Sequence, residues 1–202
     1  MGEPRRDMTP EEFQSILRAS GDNPGHRKKV TPGARFRQVL VFLWYTGCRP
    51  SEAAKLRWTD VDLEQAVLVL REHKTRRTQK NPRPRVIPLD RVAVKLLTWI
   101  RKRSEGDHVF LNHRKTPWNK DSLALRVSRA REKAGVSADA KLYGVRHAFG
   151  TKAIVAGVDL KTVSELMGHT TTRMTEHYVH LAGQTAHLAA AMRLANARRP
   201  NA

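Results

Sequence analysis

Two arginines stand in distinctive local settings: Arg49 in Thr-Gly-Cys-Arg-Pro-Ser-Glu and Arg146 in Tyr-Gly-Val-Arg-His-Ala-Phe. A phenol follows at Tyr178, nine residues after His169, in Leu-Met-Gly-His-Thr-Thr-Thr-Arg-Met-Thr-Glu-His-Tyr. A guanidinium is always charged, and its planar fork matches two oxygens of a phosphate. A phosphodiester gains negative charge in its pentavalent transition state, and fixed cationic donors stabilise that charge. A phenol has a reference pKa of ~10, so it becomes a nucleophile only with help in losing its proton. Residue types of this kind suit phosphoryl transfer.

In this order and these settings the residues resemble the tyrosine recombinase (phage integrase) family, and the resemblance runs from about Thr9 to the end of the chain. It implies that Arg49 and Arg146 grip the scissile phosphate and that Tyr178 is the nucleophile. Attack would leave a 3′-phosphotyrosine and a free 5′ hydroxyl. The bond energy is then kept for rejoining, with no cofactor, metal or ATP. Lys74, in Glu-His-Lys-Thr, resembles the family's hairpin lysine, which protonates the departing 5′ oxygen; Lys80 is its rival in the same loop. His169 would hydrogen-bond a non-bridging phosphate oxygen. Many members carry histidine three residues before the second arginine, and this chain has Tyr143 there. A phenol donates a hydrogen bond but accepts a proton poorly at neutral pH, so Tyr143 is expected to be an auxiliary catalytic residue rather than a general base. His147 is adjacent to Arg146 but about 100° away around a helix. His169, His177 and His180 lie close together, yet no cysteine or carboxylate pattern supports a metal site there.

Composition agrees with an anionic partner. The 202 residues include 38 Lys and Arg against 19 Asp and Glu, a formal charge of +19, with a pI near 11.0. Such an excess is a footprint for a polyanion, with nucleic acid the leading reading and a membrane surface or ribosome the others. The longest apolar run, Val39 to Tyr45, has seven residues, whereas crossing a bilayer takes ~20. The N-terminus lacks the apolar stretch of a signal peptide. One cysteine, Cys48, permits no intrachain disulfide, which fits a reducing cytoplasm; the DNA partner that the resemblance implies would make the protein nucleoid-associated. Cys48 reads as a small residue in a helix-ending turn rather than as a nucleophile.

The elements that must position these groups follow from caps and periodicity. Thr9-Pro10-Glu11-Glu12 is a capping-box helix start, with the helix running to about Ala19. Gly21 to Gly33 reads as a loop. A helix over about Pro32 to Thr46 carries Phe36, Val39, Leu40, Leu43 and Trp44 at helical spacing, and Gly47 can end it. A short helix from Ser51 to Leu56 and a turn at Trp58-Thr59-Asp60 come next. Val67 to Leu70 and Arg85 to Leu89 read as two strands of a small antiparallel sheet. Asp90 caps a helix to about Arg103, Val109 to Leu111 is extended, and Asp121 to Ala134 is a basic helix. Further helices are expected at Tyr143–Ala156, Asp159–Met167, Thr170–Tyr178 and Gln184–Ala197.

The predicted fold is mainly α with a small antiparallel sheet, as the resemblance implies for an integrase catalytic domain. Residues 1–8 read as a tail, 9–182 as the catalytic domain, and 183–202 as a C-terminal helix and tail. The family's usual N-terminal clamp domain is not expected in this chain. The last helix places Leu188, Ala191, Met192 and Ala195 on one face and is too short to be stable alone. It should dock in cis or, as the resemblance implies, on a neighbouring subunit. The expectation is a monomer in free solution that binds double-stranded DNA and self-associates on it. Two rival functions share these residues: DNA relaxation of the type IB topoisomerase kind, and a non-catalytic DNA-binding regulator.

Overall fold

The computed structural model describes residues 6–20, 36–71, 84–104, 106–169 and 175–176, with Ala189 and Met192. Helix α1 (Pro10–Ala19) starts on the expected capping box: Thr9 accepts from the Glu12 N–H at 3.2 Å, and Glu12 accepts from the Thr9 N–H at 3.0 Å. Its apolar face, Phe13 and Ile16, is buried, with Phe13 stacked on Trp44 at 4.1 Å. Helix α2 (Phe36–Thr46) buries Phe36, Val39, Leu40, Phe42, Leu43, Trp44 and Thr46. A helix buried on nearly every side must sit in the middle of the molecule, and α2 packs against both α4 (Arg91–Arg101) and α6 (Leu142–Val155).

After α2, Gly47 adopts φ +60°, a conformation that glycine takes without strain. A side chain there would also strike the Phe149 ring. The reversal starts α3 (Pro50–Lys55) immediately, with Pro50 in its first turn. The sheet has three strands rather than two, in the order β1 (Val61–Asp62), β2 (Val67–Leu70), β3 (Arg85–Pro88), all antiparallel. Strand β1 has only two residues, too few to show an alternation, and Trp58–Asp60 before it is a 3₁₀ turn. Leu70 pairs with Arg85 at the end of β2 and β3 from which their connection leaves. The extended piece at 109–111 bonds to the α3 exit through the Val109 N–H and the Leu56 carbonyl, 2.9 Å apart.

Asp90 caps α4 as expected, its carboxylate accepting from the Ala93 N–H at 2.8 Å. Helix α5 (Lys120–Lys133) is capped by Asn119, whose side chain accepts from Ser122 N–H at 2.8 Å. Helix α6 is crossed by the N-terminal segment, where the Met8 N–H donates to the Gly144 carbonyl at 3.2 Å. Helix α7 (Leu160–Met167) is capped by Asp159 and docks on α6 through a small separate core of Ile154, Val163 and Met167. Burying each such side chain is worth ~1.5–3 kcal/mol, which anchors the far end of α7 where the candidate residues gather. Of the two expected C-terminal helices, Thr175, Glu176, Ala189 and Met192 are helical, and the rest lies outside the described residues. Among the described residues no helix is long and apolar enough to cross a membrane.

Candidate functional site

The C-terminal end of α7 organises the site. Gly168 takes the left-handed conformation (φ 63°, ψ 44°) and closes the helix. The His169 N–H donates to the Ser164 carbonyl and the Gly168 N–H to the Glu165 carbonyl, both at 2.9 Å. This paired closure leaves the next three carbonyls unused by the helix. Each is taken by a different arginine. Arg85 Nη2 donates to Leu166 at 2.6 Å, Arg146 Nη2 to Met167, and Arg49 Nη2 to Gly168 at 2.7 Å. Helix C-termini carry partial negative charge, so three cations on successive carbonyls complement the end of α7.

The three guanidiniums are buried, with Arg146 1% exposed, Arg49 6% and Arg85 7%. Arg49 is the N-cap of α3. Glu52, one turn on, accepts from the Arg49 N–H at 2.9 Å and from its Nη1 at 2.8 Å. Arg85 donates to the other edge of this cluster, Nη1 to Glu52 Oε2 at 2.6 Å. Burial works to raise the Glu52 carboxyl, but Arg85 and Arg49 outweigh it and hold it below the ordinary range. Arg146 has no carboxylate among its described partners. Its Nη1 donates to the Gly47 carbonyl at 2.6 Å, and its Nε–H meets no acceptor among the described residues. Burial, then repulsion from Arg49 and Arg85, lowers the Arg146 pKa to about 10. Among the described residues, three guanidiniums against one carboxylate leave a surplus of buried positive charge.

His169 follows Gly168 directly. Its Nδ1 lies 2.7 Å from the Thr175 hydroxyl, which in turn lies 2.5 Å from the Ser164 hydroxyl. Burial first, then the field of Arg146, Arg49, Arg85 and His147, pushes the imidazole down to about 4. The ring is therefore neutral at neutral pH, and a neutral imidazole donates through one nitrogen only. Tyr143 is half-buried one turn before Arg146, and its ring meets His147 edge-on at 5.1 Å.

The structure thus brings Arg49, Arg146 and His169 to one helix end, with Tyr143 alongside on α6. Lys74 (with Lys80) and Tyr178 lie outside the described residues. Three contributors escaped the sequence reading of the site. Glu52 looked like a helix-start residue, Thr175 like a link in the run before Tyr178, and Arg85 like the first residue of a strand. Arg85 did carry a signal: it shares the buried face of β3 with Ile87, and an arginine at an inward strand position must have a partner. Among the described residues no group of three or more His, Cys, Asp or Glu could hold a metal ion.

Residues 6–185 match the model of the phage integrase family. The chain is 30% identical over 164 residues to the tyrosine recombinase XerD of Bifidobacterium longum (strain NCC 2705), covering 75% of this chain and 51% of that protein. It is 32% identical over 176 residues to the tyrosine recombinase XerD of Mycobacterium tuberculosis (strain ATCC 25618 / H37Rv), covering 86% of this chain and 56% of that one. The chain thus spans about half the length of these relatives. The fold is shared with the Tn1549 transposon integrase solved in complex with circular intermediate DNA. That likeness has a TM-score of 0.72 at 22% identity, over 96% of this chain and 68% of that one.

Proposed function

The chain belongs to the phage integrase family, and on that premise we propose that it breaks and rejoins duplex DNA site-specifically through a 3′-phosphotyrosine at Tyr178. The observation that carries this reading is the surplus of buried positive charge at the end of α7, where Glu52 serves Arg49 and Arg85 while Arg146 has no carboxylate among the described residues. A buried charge without a partner is costly, and an anionic phosphate offsets that cost. Arg49 and Arg146 hold the non-bridging oxygens. His169, neutral and braced by Thr175, donates the further hydrogen bond, and Tyr143 is auxiliary. Tyr178 Oη attacks phosphorus as its proton leaves to a base, the bond to the 5′ oxygen breaks, and Lys74 protonates that oxygen. Reversal by a 5′ hydroxyl rejoins the strand.

Residues 9–182 form the catalytic unit, and the +19 charge attracts the DNA backbone. The protein is a monomer in free solution and self-associates on DNA through residues 183–202, within the cytoplasm and close to the nucleoid.

The test is capture of a covalent adduct. The protein is incubated with a library of nicked random duplexes, and denaturant-resistant protein–DNA complexes are collected and sequenced. The wild-type chain should yield adducts, and Tyr178→Phe should yield none while still binding DNA. Adducts from the Phe variant would move the nucleophile elsewhere, and their absence from both proteins would leave the chain a DNA-binding module.

A further inference from the structure

Resting on that reading, we propose that Arg85 is a positioning residue of the site, one that orients Arg49 through Glu52 and fixes the end of α7. Three observations converge on it. Its two terminal nitrogens join separate elements: Nη1 holds Glu52 of α3 at 2.6 Å, and Nη2 holds the Leu166 carbonyl of α7 at 2.6 Å. Glu52 is the same carboxylate that fixes Arg49, so the order of Arg49 depends on Arg85. The side chain also lies flat on the helix cap. A Cβ added at Gly168 would sit 2.5 Å from Arg85 Nε and 2.7 Å from its Cδ. No side chain could stand there without displacing the guanidinium, and Gly168 is the residue whose carbonyl receives Arg49.

A lysine cannot do this work. It keeps the charge but offers one point donor in place of a fork that spans two partners. Arg85 also opens β3 opposite Leu70, so it fixes the root of the connection that carries Lys74. A group that works by placing others should affect the chemical step rather than DNA capture. A misplacement of about 1 Å is enough to cost on the order of 100-fold in rate.

The experiment uses the full chain and a nicked duplex selected by adduct capture, with affinity from fluorescence anisotropy and single-turnover adduct formation as the rate. Arg85→Lys should leave DNA affinity within about threefold and slow adduct formation on the order of 100-fold. A purely structural role would lower the melting temperature and the active fraction but leave the rate per active molecule unchanged. Combining Arg85→Lys with Arg49→Lys should cost far less than the product of the single losses, because coupled groups are not additive. A wild-type rate for Arg85→Lys, or losses that multiply, would overturn the proposal. Should Arg85→Lys fail to fold, Arg85→Met with Glu52→Gln removes both charges together. That pair should fold and cleave slowly, and wild-type cleavage by it would equally overturn the role. Failure of the wild-type chain to form any adduct would count against the recombinase reading and not against Arg85.

Discussion

Arg49, at the junction of α2 and α3, and Arg146, on α6, both end on carbonyls of α7, yet they are compensated differently. Arg49 is tied to Glu52 by its backbone and its side chain. Arg146 rests on the carbonyls of Gly47 and Met167 alone among described partners, and its pKa is lowered to about 10. A carboxylate fixes a guanidinium and also uses up its field. Carbonyls fix it while leaving most of the charge available. The α3 arginine is held for geometry and the α6 arginine for charge.

Each arm of that contrast can be broken. The largest effect is expected in catalysis: Arg146→Lys and Arg49→Lys should each slow adduct formation by about 10²–10³-fold, the usual loss for one transition-state donor. Single-turnover assays at saturating DNA measure this, and near-wild-type rates in both would remove the phosphate clamp.

Next in size is the titration of His169. Its pKa of about 4, against an ordinary 6.5, comes from burial and then from Arg146 ahead of Arg49. Replacing Arg146 with Met should therefore raise the imidazole pKa more than replacing Arg49 does, as followed by NMR of the ring protons. The reverse order would show that Arg146 is not the stronger field. The sign for stability follows. Between pH 6.5 and about 4 the unfolded chain takes up this proton and the folded chain does not, so His169 lowers stability as pH falls through that window and is silent above it.

The smallest effect concerns Cys48, between Gly47 and Arg49. Burial carries its thiol up to about 11, against the opposing positive field of Arg85 and Arg146. Since the thiolate is the reactive form, a thiol reagent at pH 8 should modify the native protein far more slowly than the unfolded one. Equal rates would mean that the junction opens freely.

Much of the scaffold was legible along the chain because it is written locally. The Thr9 capping box, the Asp90 cap, the apolar stripe of α2 and the Gly47 stop are short-range patterns, and each appears where the sequence places it. Strand β1 was not legible because two residues carry no period. The helix expected from Asp121 starts earlier, on the Asn119 cap, because Asn and Asp both suit a helix start and local sequence does not rank them. Within the site, Arg49 and Arg146 stood out through their neighbours in sequence. The Arg85–Glu52 pair spans 33 positions and the Arg49–Gly168 bond 119. Neither residue's flanks announce such a partner, and only the strand's alternation hinted at Arg85.

The three consecutive carbonyls at 166, 167 and 168 make α7 a ruler as well as a support. Side chains such as Lys161 and Glu165 point to water, and changing them leaves every carbonyl where it was. One residue added to or removed from the helix is different: it turns all that follows by about 100° and shifts it by about 1.5 Å. The acceptors would then be dealt to the wrong arginines with no site residue replaced. For this segment the chain can vary in spelling but not in length, and an alignment gap inside α7 would mark a protein whose arginines are held some other way.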